Sequence, residues 1–237
     1  MDDDGLDRVL GEAVLDGVVD LGQKVGRLRV ERHLDLVAVV DVGCGGGAWL
    51  AEFLKNGAVE VLGIDGDYVD RARLLIPPAA FLAHDLRRPL ELDRRFDLAL
   101  SLEAAQYLPP AGAPRFVAAL TELAPVVLFS SAVPHQAENA PNTQWPDYWC
   151  RLFAERDYEA YDWLRPLIWN DERVEFWYAQ NAVLFARPGA EAVRRLESGP
   201  VLPLVHPKLY LSYAETRPFP IGRARTVARR LAWRLLR

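Results

Sequence analysis

Between residues 36 and 187 the chain alternates short apolar runs with amphipathic stretches. Leu36 to Val40 is a β-branched run of the kind that fills a strand buried on both faces, and it closes on Asp41 and a cluster of glycines. Trp49 to Asn56 then reads as a helix, with Gly57 placed to cap its carboxyl end. Val59 to Ile64 is a second strand, and Tyr68 to Leu75 a second helix stopped by Pro77 and Pro78. Phe81 to Ala83 and Phe96 to Ser101 follow as strands, Arg115 to Leu123 as a helix, and Val126 to Ser130 as a fifth strand. Strand alternating with helix predicts a parallel sheet with helices on both faces, an α/β doubly wound architecture. Beyond residue 140 the pattern changes. Pro146 to Arg156 suits a helix with proline in its first turn, and Tyr158 to Leu164 and Asn181 to Ala186 suit two further strands.

The flanks read differently. Residues 6–33 carry Leu6, Val9, Leu10, Ala13, Val14, Val18 and Leu21 at helical spacing, so 1–35 is expected to be a helical cap. Residues 189–222 are expected to be rich in loop, with prolines at 200, 203, 207, 218 and 220. Residues 221–237 predict an amphipathic helix with Val227, Leu231 and Leu235 on one face and six arginines around it. Together, 188–237 reads as an appendage rather than an independent domain. The basic helix could meet a second copy, another partner or an anionic membrane surface, or stay solvated.

Composition narrows the class. The 237 residues are 51% hydrophobic and 26% charged, enough apolar material for one substantial core. The net charge is −5, and setting aside the six arginines of the tail moves it to −11. An acidic body argues against a nucleic-acid partner, since phosphate neutralisation needs a basic face. No apolar run reaches the roughly 18 residues that span a bilayer, so stable membrane insertion is not expected. Met1-Asp2-Asp3-Asp4 is acidic where a secretion signal is basic, and the expected compartment is the cytoplasm. Cys44 and Cys150 stand far apart, and the four histidines show no metal-ligand spacing, so no metal is expected.

The densest chemical signal is Asp41-Val42-Gly43-Cys44-Gly45-Gly46-Gly47-Ala48-Trp49, between a predicted strand and a predicted helix. Its glycines permit a tight turn and close approach of a ligand to backbone, at the carboxyl end of the first strand. Gly43-x-Gly45-x-x-Ala48, with Asp65 about 20 residues on, fits a dinucleotide fingerprint. Asp41 points elsewhere, because a carboxylate repels pyrophosphate and attracts an ammonium. S-adenosylmethionine carries an ammonium and a sulfonium and no phosphate.

These residues resemble the class I S-adenosylmethionine-dependent methyltransferases, whose Asp-x-Gly-x-Gly-x-Gly loop is matched at Asp41, Gly43, Gly45 and Gly47. Gly63-Ile64-Asp65 resembles the second-strand acid that grips the ribose, His84-Asp85-Leu86 the segment whose acid accepts from the adenine amino group, and Phe96 to Ser101 the fourth strand. The resemblance spans roughly 36–187. It implies a Rossmann-like seven-stranded sheet, mostly parallel with an antiparallel last strand, and S-adenosylmethionine held by Asp41, Gly43, Cys44, Gly45, Gly47, Trp49, Asp65, Gly66, Asp85, Leu86 and Ser101.

Methyl transfer from a sulfonium is an in-line displacement, for which the protein positions the nucleophile and excludes water. A base serves a hydroxyl or ammonium nucleophile. After the fourth strand, Ser101-Leu102-Glu103-Ala104-Ala105-Gln106-Tyr107-Leu108 keeps Glu103 but has Gln106 and Tyr107 where many relatives have Glu-His. Asn142-Thr143-Gln144-Trp145-Pro146-Asp147-Tyr148-Trp149 resembles a bacterial small-molecule subfamily with an Asn-x-Gln-Trp-Pro-x-Tyr-Trp segment, which often occurs with sugar and secondary-metabolite pathways. Relatives carry a histidine two residues before the Asn. Here that position is Ala140, and His135 lies nearby. The expected catalytic residues are therefore His135 and Glu103. Acceptor contacts are expected from Tyr107, Asn142, Gln144, Trp145, Tyr148, Trp149 and Gln180, because aromatic faces stack on rings and amides orient polar groups. Eleven aromatics crowd between Trp145 and Tyr178, and core packing accounts for part of them. The expected activity is methyl transfer to a hydroxyl or amine of a small metabolite, in a chain that could form a homodimer. A non-catalytic S-adenosylmethionine-binding partner and a dinucleotide-dependent oxidoreductase are the alternatives.

Overall fold

The computed structural model describes residues 37–216. The expected N-terminal helical cap and the basic C-terminal helix lie outside the described residues. Two compact units are present, one ending at Leu204 and a smaller one from Val205 onward.

The larger unit is built on a seven-stranded sheet in the order β3-β2-β1-β4-β5-β7-β6. Its strands are β1 (Ala38–Val42), β2 (Glu60–Asp65), β3 (Phe81–Ala83), β4 (Leu98–Leu102), β5 (Val126–Ser130), β6 (Glu159–Tyr161) and β7 (Val183–Ala186). The first five are parallel, while β7 runs antiparallel to both β5 and β6. The order reverses between β1 and β4, so the crevice outside their carboxyl ends is the natural place for a ligand.

Apolar residues on successive positions feed opposite faces, as the strand repeat of two requires. Val39, Val61, Leu98, Leu100, Leu128 and Leu184 pack on one side. Val40, Val42, Ala99, Val127, Phe129 and Phe185 pack on the other. The first face is covered by α1 (Ala48–Lys55), α4 (Leu164–Ile168) and α5 (Phe176–Asn181), through Trp49, Leu50, Phe53, Leu164, Ile168 and Tyr178. The second is covered by α2 (Ala113–Leu123) and α3 (Pro146–Ala154), through Phe116, Val117, Leu120, Trp149 and Phe153. Asp97 organises the start of β1, its Oδ2 accepting from the backbone N–H groups of Val37 and Ala38, each at 2.8 Å.

The structure departs from the elements expected of the sequence in several places. Residues 68–75 do not form a helix; Arg71–Arg73 makes a single 3₁₀ turn. The Asp70 side chain accepts from the Ala72 N–H, an alternative local partner that competes with helix, and the Leu75 N–H is spent on the Gly46 carbonyl 2.8 Å away. The sixth strand is only Glu159–Tyr161, with Leu164 already in α4, and Asn181 ends α5 rather than opening β7. Within the stretch expected to be loop, Pro207–Thr216 forms helix α6. Pro207 sits at its start, no proline or glycine interrupts it, and His206 Nδ1 accepts from the Lys208 N–H at 3.2 Å.

Candidate active site

The glycine loop follows β1 and turns the chain into α1. Gly43 N–H and Cys44 N–H both reach the Ile64 carbonyl, at 2.8 and 3.3 Å, so the loop is strapped to the end of β2. Gly43 has φ +94°, and a Cβ there would stand 2.3 Å from the Ala104 Cβ. The loops after β1 and β4 therefore meet at a point where no side chain fits. At Gly45, with φ +51°, an added Cβ would meet nothing within 4 Å.

Beside these loops opens a cleft of about 760 Å³, within the range of small-molecule sites, roughly 300–1,000 Å³. Of the residues expected from sequence, Gly43, Gly45, Asp65, Gly66, Asp85, Leu86, Glu103 and Tyr107 line it. Sequence reasoning missed Tyr68, Asp67, Ala104 and Leu108, which also line it, as does His84. Tyr68 stood in an expected helix, and nothing in the local pattern signalled its role.

Asp65 is the hub. Its Oδ2 accepts from Gly45 N–H at 2.7 Å, and its Oδ1 accepts from Gly66 N–H at 2.7 Å and from the Tyr68 hydroxyl. A carboxylate offers about four lone-pair positions, so three are in use. Ribose hydroxyls would take the free position and displace Tyr68. Asp85 is similarly engaged. Arg87 donates to it through Nε at 2.8 Å, Nη2 at 2.9 Å and the backbone N–H at 3.0 Å. These bonds hold its carboxyl down at about 2 and leave one Oδ2 lone pair for an amino donor.

Asp41 lies beneath the loop, 1% exposed. Neither carboxylate oxygen has a hydrogen-bond partner among the described residues. Burial pushes its carboxyl up to about 7, and the charge of Asp65 adds to the rise. An orphaned buried carboxylate next to a glycine loop is chemically suited to an ammonium. The open face of Gly45, the free acceptor position on Asp65 and the spare acceptor on Asp85 complete a donor and acceptor set that fits S-adenosylmethionine.

Glu103 stands at the carboxyl end of β4 with φ +55°, a left-handed conformation that a non-glycine residue adopts only under constraint. The Ser130 carbonyl and hydroxyl supply it, accepting from the Glu103 N–H at 3.1 and 3.0 Å. Asn181 Nδ2 donates to Oε1 at 3.0 Å and Gln106 Nε2 to Oε2 at 3.2 Å. Burial pushes the Glu103 carboxyl up to about 7, against the pull of Asn181, Ser130 and Gln106. The amides continue outward: Gln136 Oε1 accepts from Gln180 at 2.8 Å, Asn181 at 3.0 Å and the Val133 N–H at 3.2 Å.

Other expected site residues are placed away from the cleft wall. Ser101 is wholly buried and donates to the Val42 carbonyl at 2.9 Å, tying β4 to β1. Cys44 is buried, both cysteines are free thiols, and Gly47 packs on Ile76. Trp49 is buried edge-on against Tyr178, with ring centroids 5.2 Å apart. His135 is exposed in the turn after β5, where its neighbour Gln136 joins the network. Asn142 is buried and supports the loop after β4, its N–H donating to the Gln106 carbonyl at 3.0 Å and its Oδ1 accepting from Gln144 at 3.2 Å. Gln180 is buried in the amide network. Trp149 is core, packed 4.9 Å from Phe129 and 5.1 Å from Tyr148, centroid to centroid. Trp145, 40% exposed at the start of α3, is the remaining surface aromatic of that segment.

Comparison with known proteins agrees with the geometry. Residues 39–125 match the family described as methyltransferase domain. Among solved structures, an amino pentose methyltransferase from Micromonospora echinaspora, involved in calicheamicin biosynthesis and solved with S-adenosylmethionine bound, superposes with a TM-score of 0.53. It is 19% identical, over 72% of this chain and 91% of that one. Magnesium protoporphyrin IX methyltransferase from Synechocystis PCC 6803, also solved with the cofactor bound, gives 0.54 at 17% identity, over 72% and 80%. DesVI from Streptomyces venezuelae gives 0.47 at 19% identity, and the match covers 58% of this chain and 61% of that one. No curated protein matches in sequence. Residues 39–125 thus resemble a methyltransferase domain, and the chain shares the fold of these S-adenosylmethionine-bound structures.

Proposed function

We propose that the protein moves the methyl group of S-adenosylmethionine to a hydroxyl or amine of a small metabolite. The observation that carries this reading is Glu103, a half-buried carboxylate of raised pKa lining the same cleft as the glycine loop and Asp65. When bound, S-adenosylmethionine supplies an activated methyl carbon. Asp65 and Asp85 hold the adenosine, Asp41 faces the ammonium, and Gly45 leaves backbone open to the ligand. Glu103 accepts the proton of the nucleophile. Its pKa near neutrality and its place in the cleft favour it over the exposed His135 as base. The exposed ring of Tyr107 at the cleft rim offers a stacking surface for a ring-shaped acceptor. A sugar-containing or secondary-metabolite acceptor is supported by the Asn142 to Trp149 segment and by the amino pentose activity named for one neighbour of the same fold. The acidic body of the chain supports a small molecule over a nucleic acid as acceptor.

A second reading, a non-catalytic cofactor-binding partner, draws on Gln106 and Tyr107 standing in place of Glu-His. Turnover of any acceptor excludes it. Calorimetric titration with S-adenosylhomocysteine, with NADH as control, tests the cofactor directly. Asp65→Ala is expected to weaken S-adenosylhomocysteine by about 1.5–3 kcal/mol, the loss of charged hydrogen bonds. Unchanged affinity overturns the assignment.

A further inference from the structure

We propose that the acceptor presents a protonated amine to Glu103, so that the methyl group is transferred to nitrogen. This inference rests on the methyltransferase reading and narrows its acceptor.

Asp41, Asp65 and Glu103 gather around the carboxyl ends of β1, β2 and β4, and none of them pairs with a lysine or arginine among the described residues. The one arginine lining the cleft, Arg87, is committed to Asp85. Among the described residues, a cation entering this region meets three carboxylates and no lysine or arginine paired with them. Asp41 and Asp65 are accounted for by the cofactor, and Glu103 is left.

The amides around Glu103 are set for its ionised form. Gln136 Oε1 receives three N–H groups, which fixes the neighbouring amides so that the Asn181 NH₂ points to Glu103 Oε1. Gln106 donates to the other oxygen and to the Glu103 carbonyl, at 3.2 and 2.9 Å. Donors on both oxygens favour a carboxylate, yet no counter-ion offsets its burial. An ammonium supplies that counter-ion, whereas a neutral hydroxyl does not. Proton transfer points the same way. A carboxyl near 7 lies within a few units of an amine at about 8–10, and far from an aliphatic hydroxyl near the value of water, about 16.

The step balances. The ammonium gives one proton to Glu103, and the freed nitrogen lone pair attacks the S-methyl carbon. A C–N bond forms as the C–S bond breaks and its electron pair stays on sulfur. The products are S-adenosylhomocysteine, a methylated ammonium that now carries the positive charge, and protonated Glu103, which returns its proton to water.

The test uses the full chain and two ligands that differ at the methyl position. S-adenosylhomocysteine has a neutral thioether there. Sinefungin carries an amine in place of the methyl. Sinefungin is expected to bind at least tenfold more tightly, with the ratio falling toward one in Glu103→Gln. If that variant does not fold, the labelled transfer below decides the matter. Equal affinity for the two ligands overturns the inference alone, and failure of both to bind overturns the cofactor reading with it. Labelled methyl transfer to glucosamine and to glucose supplies the second arm. Label on the amino nitrogen supports the proposal, and label on a hydroxyl oxygen of either sugar overturns it.

Discussion

Two glycines of one loop do different work. Gly43 is glycine because Ala104 stands against it, whereas at Gly45 an added Cβ would meet nothing and only the φ of +51° favours glycine. Gly43→Ala is expected to destabilise the fold by about 2–4 kcal/mol, from overpacking and a left-handed backbone. Gly45→Ala is expected to fold with about 1–2 kcal/mol lost and to weaken S-adenosylhomocysteine. Denaturation and calorimetry on both variants separate the two effects, and a reversal of the pattern would contradict this division. Tyr68 competes with any ribose for Asp65, so Tyr68→Phe should bind S-adenosylhomocysteine tighter by about 1 kcal/mol, roughly fivefold. Weaker binding would show that the hydroxyl serves the ligand instead. Asp65, Asp85 and the glycines could be read from sequence because each sits at a fixed distance from a strand end. Asn181 and Gln136 could not, because the contacts that give them a role come from distant segments, and Tyr68 could not because it stands in a turn, three residues from its partner Asp65, where the pattern predicted a helix.

At the level of elements, the strands were legible because a buried parallel strand is a short apolar run bounded by turns, and β1, β2 and β5 are such runs. The crossover after β2 was not, because tertiary hydrogen bonds such as Leu75 to Gly46 decide it. Aromatics between Trp145 and Tyr178 were ambiguous for a related reason. The pattern marks them as buried or binding without saying which, and Phe153, stacked 3.9 Å from Phe185, shows how many belong to the core. One residue ties these elements together. Arg165 on α4 is 1% exposed; it pairs with Asp162 and donates from Nη1 to the carbonyls of Gln180 and Leu202, at 3.1 and 3.0 Å. It thereby fixes the end of α5 that carries Gln180 and Asn181. Arg165→Ala leaves three acceptors without a donor and is expected to lower stability by about 3–5 kcal/mol in denaturant titration. A loss below 1 kcal/mol would mean that water replaces the guanidinium.

Over the whole molecule, the raised carboxyls set a pH dependence. Asp41 and Glu103 both titrate near 7 when folded and near 4 when unfolded. Below about 4 they are protonated in both states and contribute nothing. As pH rises from about 4 to about 7 the unfolded chain ionises first, so their contribution lowers stability across that window. Asp41→Asn removes its share, and the stability it gains should be about 2 kcal/mol larger at pH 8 than at pH 5. An equal gain at both values would show that Asp41 ionises normally. The sheet itself is unevenly secured. On its outer edge β3 pairs with β2 alone, over Gly63–Phe81, Ile64–Leu82 and Asp65–Ala83, and no α-helix intervenes between the two strands. That edge carries His84 and Asp85, while Asp65 belongs to the firmer interior. Hydrogen exchange is therefore expected to show partial opening at β3 first, below the free energy of global unfolding. An adenosine that touches Asp65 and Asp85 together acts as a cross-link between edge and centre. Its binding energy would be spent at that edge, so the loaded protein is expected to open there less readily.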